Sequence, residues 1–179
     1  NYEWMFGDVL SDDSEKGSMP SDFPEIQEMK EWRTTANNSI TDGLWKNSFT
    51  AIFRCNTVIQ NLPNAEAVDQ ELKDRLMGEA YFLRGYYYFY LVRVFGGVPL
   101  FDAPVTPSEI GSVQRASVAD CYAQIDADFQ KAAALLPTKS QYDPSDLGRA
   151  TKGAATAYLA RSYMYQIGTD NTNGHNWQE

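Results

Sequence analysis

The chain has a single histidine, His175, and only two cysteines, Cys55 and Cys121. A His-based catalytic triad or a multi-His zinc site would have to be built around one residue close to the C-terminal end. Cys55 and Cys121 have no neighbouring Cys or His and fall within helical patterns, so they read as small buried hydrophobes rather than as a disulfide or a metal pair. Basic residues are also scarce: 15 Lys and Arg stand against 24 Asp and Glu, for a net charge of -9. That balance excludes a protein that grips phosphate backbones through a basic field, and no nucleic-acid partner is expected. Long apolar runs are missing too. The stretch 85–92, closed by Arg84 and Arg93, falls far short of the roughly 18 residues a spanning helix needs. Asp8, Asp12, Asp13 and Glu15 concentrate acidic charge near the start, but their spacing matches no calcium loop, so a solvated loop is expected and no metal or cofactor is assigned. No pair of carboxylates is singled out for glycoside hydrolysis, and no residue is assigned a catalytic role.

What the chain does have is hydrophobic periodicity. With 43% hydrophobic residues in 179, it can bury roughly two-thirds of its unfolded surface. Four helices are predicted, over about 44–62, 69–95, 117–136 and 150–167. In the first, Trp45, Phe49, Ile52 and Ile59 recur at helical spacing, and Leu62-Pro63 ends it because the residue before proline is pushed out of the helical region. The second carries Leu72, Leu76, Ala80, Leu83, Tyr87, Tyr90 and Val94, is apolar nearly all round beyond Ala80, and stops at Gly96-Gly97. The third opens at Ser117, a candidate N-cap with Asp120 three residues on, and closes at Leu136-Pro137. The fourth presents Ala154, Ala157 and Tyr158, with Gly168 as its expected C-cap.

A repeat joins these helices in pairs. Ala80-Tyr81-Phe82-Leu83-Arg84-Gly85-Tyr86-Tyr87-Tyr88 aligns with Ala157-Tyr158-Leu159-Ala160-Arg161-Ser162-Tyr163-Met164-Tyr165, an offset of 77 residues, and the two Leu-Pro stops lie 74 apart. The repeating unit is therefore a pair of antiparallel helices. The fold class is all-α, with tetratricopeptide-like helix pairs over 44–179 that match that architecture in shape, not in strict consensus. Residues 1–43 differ, being polar, rich in Asp and Ser, and dotted with Tyr2, Trp4, Phe6, Phe23 and Trp32. They are expected to form a long irregular N-terminal segment with a short helix near 25–32; a stretch of this kind in a compact domain is usually either a binding element or a sign that the irregular assignment is wrong.

The segment 78–100, from Gly78-Glu79-Ala80-Tyr81-Phe82-Leu83-Arg84-Gly85-Tyr86-Tyr87-Tyr88-Phe89 through Leu91-Val92-Arg93-Val94-Phe95-Gly96-Gly97-Val98-Pro99-Leu100, closely resembles the signature of the SusD/RagB family. Arg54, Asn56, Ser117-Val118, Leu135-Leu136-Pro137 and Gly148-Arg149-Ala150-Thr151-Lys152-Gly153-Ala154-Ala155 support the resemblance, which covers nearly the whole chain. Asn176-Trp177-Gln178-Glu179 resembles the start of a further family helix, so a carboxy-terminal portion is expected to be missing. The sequence begins at Asn1 with neither an initiator Met nor a basic and apolar leader, so any signal peptide or lipid-attachment Cys is expected to have been trimmed.

The resemblance implies a binding protein, not an enzyme: a surface lipoprotein of the outer membrane whose only membrane contact is a lipid anchor. It implies capture of polysaccharide or oligosaccharide, in some members peptide, for delivery to a SusC-like TonB-dependent transporter. A helical-repeat protein adaptor is the rival reading. Sugar capture needs flat aromatic faces with amide or guanidinium donors beside them, and Trp32, Arg33, Asn37 and Asn38 supply these within seven residues, in the region where the resemblance implies part of the glycan site. Tyr86, Tyr87, Tyr88 and Tyr90 are read as packing, Arg84 and Arg161 as bonding to helix ends or acidic partners between repeats, and Asn56 as satisfying a backbone group.

Overall fold

A computed structural model describes residues 4–19 and 21–166. Among these residues the regular structure is all helical, with no strand. The α-helices are α1 (Pro24–Lys30), α2 (Ser39–Asn61), α3 (Gln70–Phe95), α4 (Pro107–Ile110), α5 (Val118–Leu135) and α6 (Lys152–Gln166). No helix among the described residues is long and apolar enough to cross a membrane. The expected C-cap Gly168, together with His175, lies outside the described residues.

Two compact units divide the chain, 1–48 and 49–179, and α2 begins in the first and ends in the second. The N-terminal unit has more regular structure than its composition suggests. A π-helical turn spans Met5–Val9, and α1 packs on it through a small core of Val9, Ile26 and Met29, with Met5, Phe6, Leu10 and Ile40 around it. Helix α2 starts five residues ahead of the expected 44, because Asn38 caps it.

In the second unit, Asp69 caps α3 by accepting from the Leu72 amide at 2.8 Å. Glu71 in its first turn and Arg93 in its last complement the helix dipole. The helix ends at Gly96, whose φ of 71° is the left-handed conformation glycine tolerates. Exposed Arg115 then donates to the carbonyl oxygens of Phe95, which the helix leaves unpaired, and of Gly97 just beyond it. Ser117 caps α5 in the same manner as Asp69, accepting from the Asp120 amide at 3.0 Å.

Side-chain contacts set the directions. Phe49 meets Tyr88 and Asn56 meets Arg84, so α2 and α3 are antiparallel. A Cβ on Gly78 would lie 2.9 Å from Leu136, one on Gly85 would lie 3.1 Å from Phe129, and Phe89 meets Tyr122, so α5 runs back along α3 at close range. Phe129 meets Tyr158, and Asp126 meets Ser162 and Gln166, which sets α6 antiparallel to α5. The long helices α3, α5 and α6 thus pack in succession, with the second half of α2 against α3, the arrangement of helical-repeat proteins. Ile125, Phe129 and Ala132, all fully buried, form the shared core of α5. Burying the first two contributes about 1.5 to 3 kcal/mol each.

Candidate functional site

The candidate ligand surface is built on α1. Pro24 occupies the first turn, where its missing N–H costs nothing. The C-terminal end closes as a Schellman motif: the Trp32 amide donates to the Met29 carbonyl at 3.1 Å and the Arg33 amide to the Glu28 carbonyl at 2.8 Å. That geometry puts Trp32 in the left-handed region, at φ 57°, in the seat glycine usually takes. A bulky residue held there costs on the order of 1 to 3 kcal/mol. The indole gains little burial in return, since Trp32 is 69% exposed. The most strained position on this helix end therefore displays a flat aromatic ring to solvent.

Polar groups flank that ring. Arg33 donates through Nε and Nη2 to the Glu31 carboxylate, and Gln27 donates to Glu31 from the helix side at 2.7 Å. These bonds, that of Gln27 first and that of Arg33 second, hold the Glu31 carboxyl below its ordinary value. Asn37 is exposed. Asn38 is not: it is 2% exposed, and both ends of its amide are occupied. Its Nδ2 donates to the Glu25 carbonyl and to Glu28 Oε2, each at 3.0 Å. Its Oδ1 accepts from the Ile40 amide at 3.1 Å and the Thr41 amide at 3.4 Å. Asn38, expected to meet ligand, instead caps α2 and ties it to α1. The reason is local: a helix start needs an acceptor for its free amides, and Asn serves that need as readily as it serves a sugar hydroxyl.

The other end of α1 repeats the theme. Phe23 is the N-cap residue, also left-handed at φ 49° and ψ 68°, with no side-chain hydrogen bond to the helix and 65% exposure. It borders an open cleft of about 620 Å³ lined also by Trp4, Lys16, Ser18, Glu25 and Ser39. Trp4 is 46% exposed. Sequence reasoning noted Phe23 only as one of several scattered aromatics; Phe23-Pro24 before a helical run was the available signal, since that proline starts the helix and leaves Phe23 as its cap.

The remaining polar candidates are structural. Arg84, 3% exposed, forms a bidentate pair with the fully buried Asp128, through Nε at 2.8 Å and Nη2 at 2.7 Å. It also donates to Asn56 Oδ1 at 2.7 Å and to the Asp102 carbonyl at 3.3 Å. Burial works against the Arg84 charge, and the bonds and charge of Asp128 outweigh it, holding the guanidinium above its ordinary value. Asn56 donates onward to the carbonyls of Phe101 and Ala103, while the Tyr88 hydroxyl accepts from the Phe101 amide at 2.8 Å. The network therefore ties α2, α3 and α5 to the loop at 101–103. Arg161 is exposed, with its guanidinium over the rings of Phe89, Tyr158 and Tyr165. Tyr86 and Tyr87 pack ring to ring, and Tyr90 is buried. The thiols of Cys55 and Cys121 are buried and free. Among the described residues no group of three or more His, Cys, Asp or Glu is placed to hold a metal ion. What the described residues of the N-terminal unit offer is exposed aromatic faces at the two ends of α1.

A family model, SusD-like_3, described as "Starch-binding associating with outer membrane", matches residues 3–164. Two SusD-like proteins of Formosa agariphila are 28% and 31% identical over 78% and 72% of this chain, and the aligned parts make up 24% and 25% of those proteins. Among solved structures, a laminarin binding SusD-like protein superposes with a TM-score of 0.77 at 33% identity, covering 84% of this chain and 32% of that one. Surface glycan-binding protein A from Bacteroides fluxus gives a TM-score of 0.77 at 31% identity over 90% of this chain and 34% of its own. The chain spans about a quarter of the length of these curated relatives.

Proposed function

The chain belongs to the SusD-like family, and from that membership we propose that it captures polysaccharide or oligosaccharide at the cell surface for delivery to a TonB-dependent outer-membrane transporter. The family is one of outer-membrane-associated binding proteins. In this reading a lipid anchor holds the protein to the membrane, the helix pairs of the second unit form the scaffold, and no residue performs chemistry on the ligand. The ligand stacks on Trp32, with Arg33 and Asn37 meeting its hydroxyls and Asn38 bracing the shelf from beneath.

The observation that supports this most directly is the indole of Trp32 in a glycine position. Backbone strain at an exposed aromatic is lost stability unless the ring is used, and pyranose rings present the apolar face that such a ring stacks on. Affinity electrophoresis through gels containing laminarin, starch and other polysaccharides tests it, with Trp32→Gly as the comparison. The expected result is retardation of the parent protein by at least one polysaccharide and its loss in Trp32→Gly, which restores the favoured residue at the helix end and so keeps the fold. Absence of retardation by every polysaccharide, or retardation unchanged in Trp32→Gly, refutes it.

A further inference from the structure

Phe23 and its cleft are not needed for the Trp32 shelf, and they bear a cost that packing does not explain. An N-cap is the position where Asn, Asp, Ser or Thr satisfies the free amides of the first turn. Phe23 has no side-chain acceptor to give them, and its φ of 49° lies in the region that Asn tolerates far better than a bulky residue. Phe23 therefore forgoes both the capping bond and a relaxed backbone, and 65% of it stays exposed. The cleft it borders combines a second exposed indole, Trp4, with a cation at Lys16, a carboxylate at Glu25 and hydroxyls at Ser18 and Ser39. Met5 and Ile26 supply an apolar floor. Two aromatic faces with mixed hydrogen-bonding groups over an apolar floor suit a neutral ligand carrying both apolar faces and many hydroxyls.

The geometry points to a second saccharide subsite in this cleft, with Phe23 and Trp4 as its stacking faces, so that affinity rises with the length of the glycan. The seven residues of α1 separate the cleft from the Trp32 end by about 10 Å. A short oligosaccharide engages Trp32 alone, and a longer one reaches both ends of the helix. This inference rests on the glycan reading of Trp32 and extends it to ligand length.

Phe23→Asn separates a ligand role from a packing role because the two predict opposite signs. Asn tolerates the left-handed backbone that strains Phe, so thermal unfolding should shift upward. Calorimetric titration with laminarin and starch oligosaccharides of increasing length should show the parent protein gaining affinity with length. Phe23→Asn should bind the short members as the parent does and the long ones about 5-fold to 10-fold more weakly. Trp4→Ala should reproduce the loss, and Phe23→Tyr should retain the length dependence. A length dependence that survives in Phe23→Asn overturns the second subsite and leaves the Trp32 reading standing. A lower unfolding temperature in Phe23→Asn also overturns it, by making Phe23 a packing residue. Binding of no member of either series by the parent removes both readings together.

Discussion

Removing one partner of the Arg84–Asp128 pair tests whether the helical scaffold is held as described. Asp128 is fully buried and Arg84 nearly so, with two parallel hydrogen bonds at 2.7 and 2.8 Å. Asp128→Ala leaves the guanidinium with Asn56 Oδ1 and the Asp102 carbonyl as acceptors and no counter-charge in contact. An uncompensated buried charge of this kind destabilises by about 3 to 5 kcal/mol. For a chain of this size each kcal/mol moves the unfolding midpoint by about 2 to 4 °C, so a loss of roughly 10 °C is expected by circular dichroism. Because the pair is shielded from solvent, the loss should change little between low and high salt. Replacing both partners, as Arg84→Met with Asp128→Leu, should recover most of it, since an apolar pair of similar volume needs no desolvation. A midpoint for Asp128→Ala within 2 °C of the parent, or a double variant no better than the single, would refute this account of the network.

Four further outcomes follow from the geometry. Asn38→Ala removes the cap of α2 and the tie to α1, and should cost about 1 kcal/mol or more, read as lower amide protection in α1 and the start of α2 while α5 and α6 are unaffected. Gly97→Ala would set a Cβ 2.0 Å from the Ala116 carbonyl oxygen, a contact that only backbone movement relieves, so a loss of several kcal/mol or failure to fold is expected in denaturant titration. Trp32→Gly should unfold at a higher temperature than the parent, because it removes the left-handed strain. Burial pushes the Cys55 thiol from 9.0 up to about 11. A raised folded-state value means that its share of stability is whole below pH 9, declines as the pH rises toward 11, and should be visible as alkaline destabilisation reduced in Cys55→Ala. The same thiol should resist alkylation at pH 8 until the protein is unfolded.

The second unit was largely legible in the sequence because its elements are marked by local physics. Leu62-Pro63, Gly96-Gly97 and Leu136-Pro137 sit where α2, α3 and α5 end, and Asp69 and Ser117 cap α3 and α5. The Arg84 partner was not legible, since Asp128 is 44 residues away and periodicity says nothing about which two polar residues on apolar stripes will meet. Asp128 lies three residues past Ile125 on the buried side of α5, and a carboxylate on that stripe was the one hint available. In the N-terminal unit the limit was different. Composition suggested irregular structure, whereas Val9, Ile26 and Met29 pack into a small core that fixes α1. Trp32 and Arg33 were picked by residue type, and their placement at a helix end depends on a left-handed residue that no propensity scale assigns to tryptophan. Asn38 was misassigned because ligand donors and helix caps draw on the same polar side chains.

That last confusion has a physical resolution that applies beyond Asn38. Polar residues serving structure have their bonding capacity filled: Asn38, Asn56 and Asp128 are buried, and each makes several bonds with named partners. Residues reserved for a ligand should show the reverse, with exposed surface and a local energetic penalty that the free protein does not recover. Trp32 and Phe23 are the positive-φ non-glycine residues among those described, and both are large aromatics exposed by about two-thirds. Gly or Asn at either position would relax the backbone, since both tolerate the left-handed region better than a bulky aromatic does. Both stand at the ends of one seven-residue helix, and in the glycan reading proposed above the bound ligand returns what the folded chain forgoes. The sign of the stability change in Trp32→Gly and Phe23→Asn, set against the change in glycan affinity, therefore tests the functional assignment more sharply than loss of binding alone.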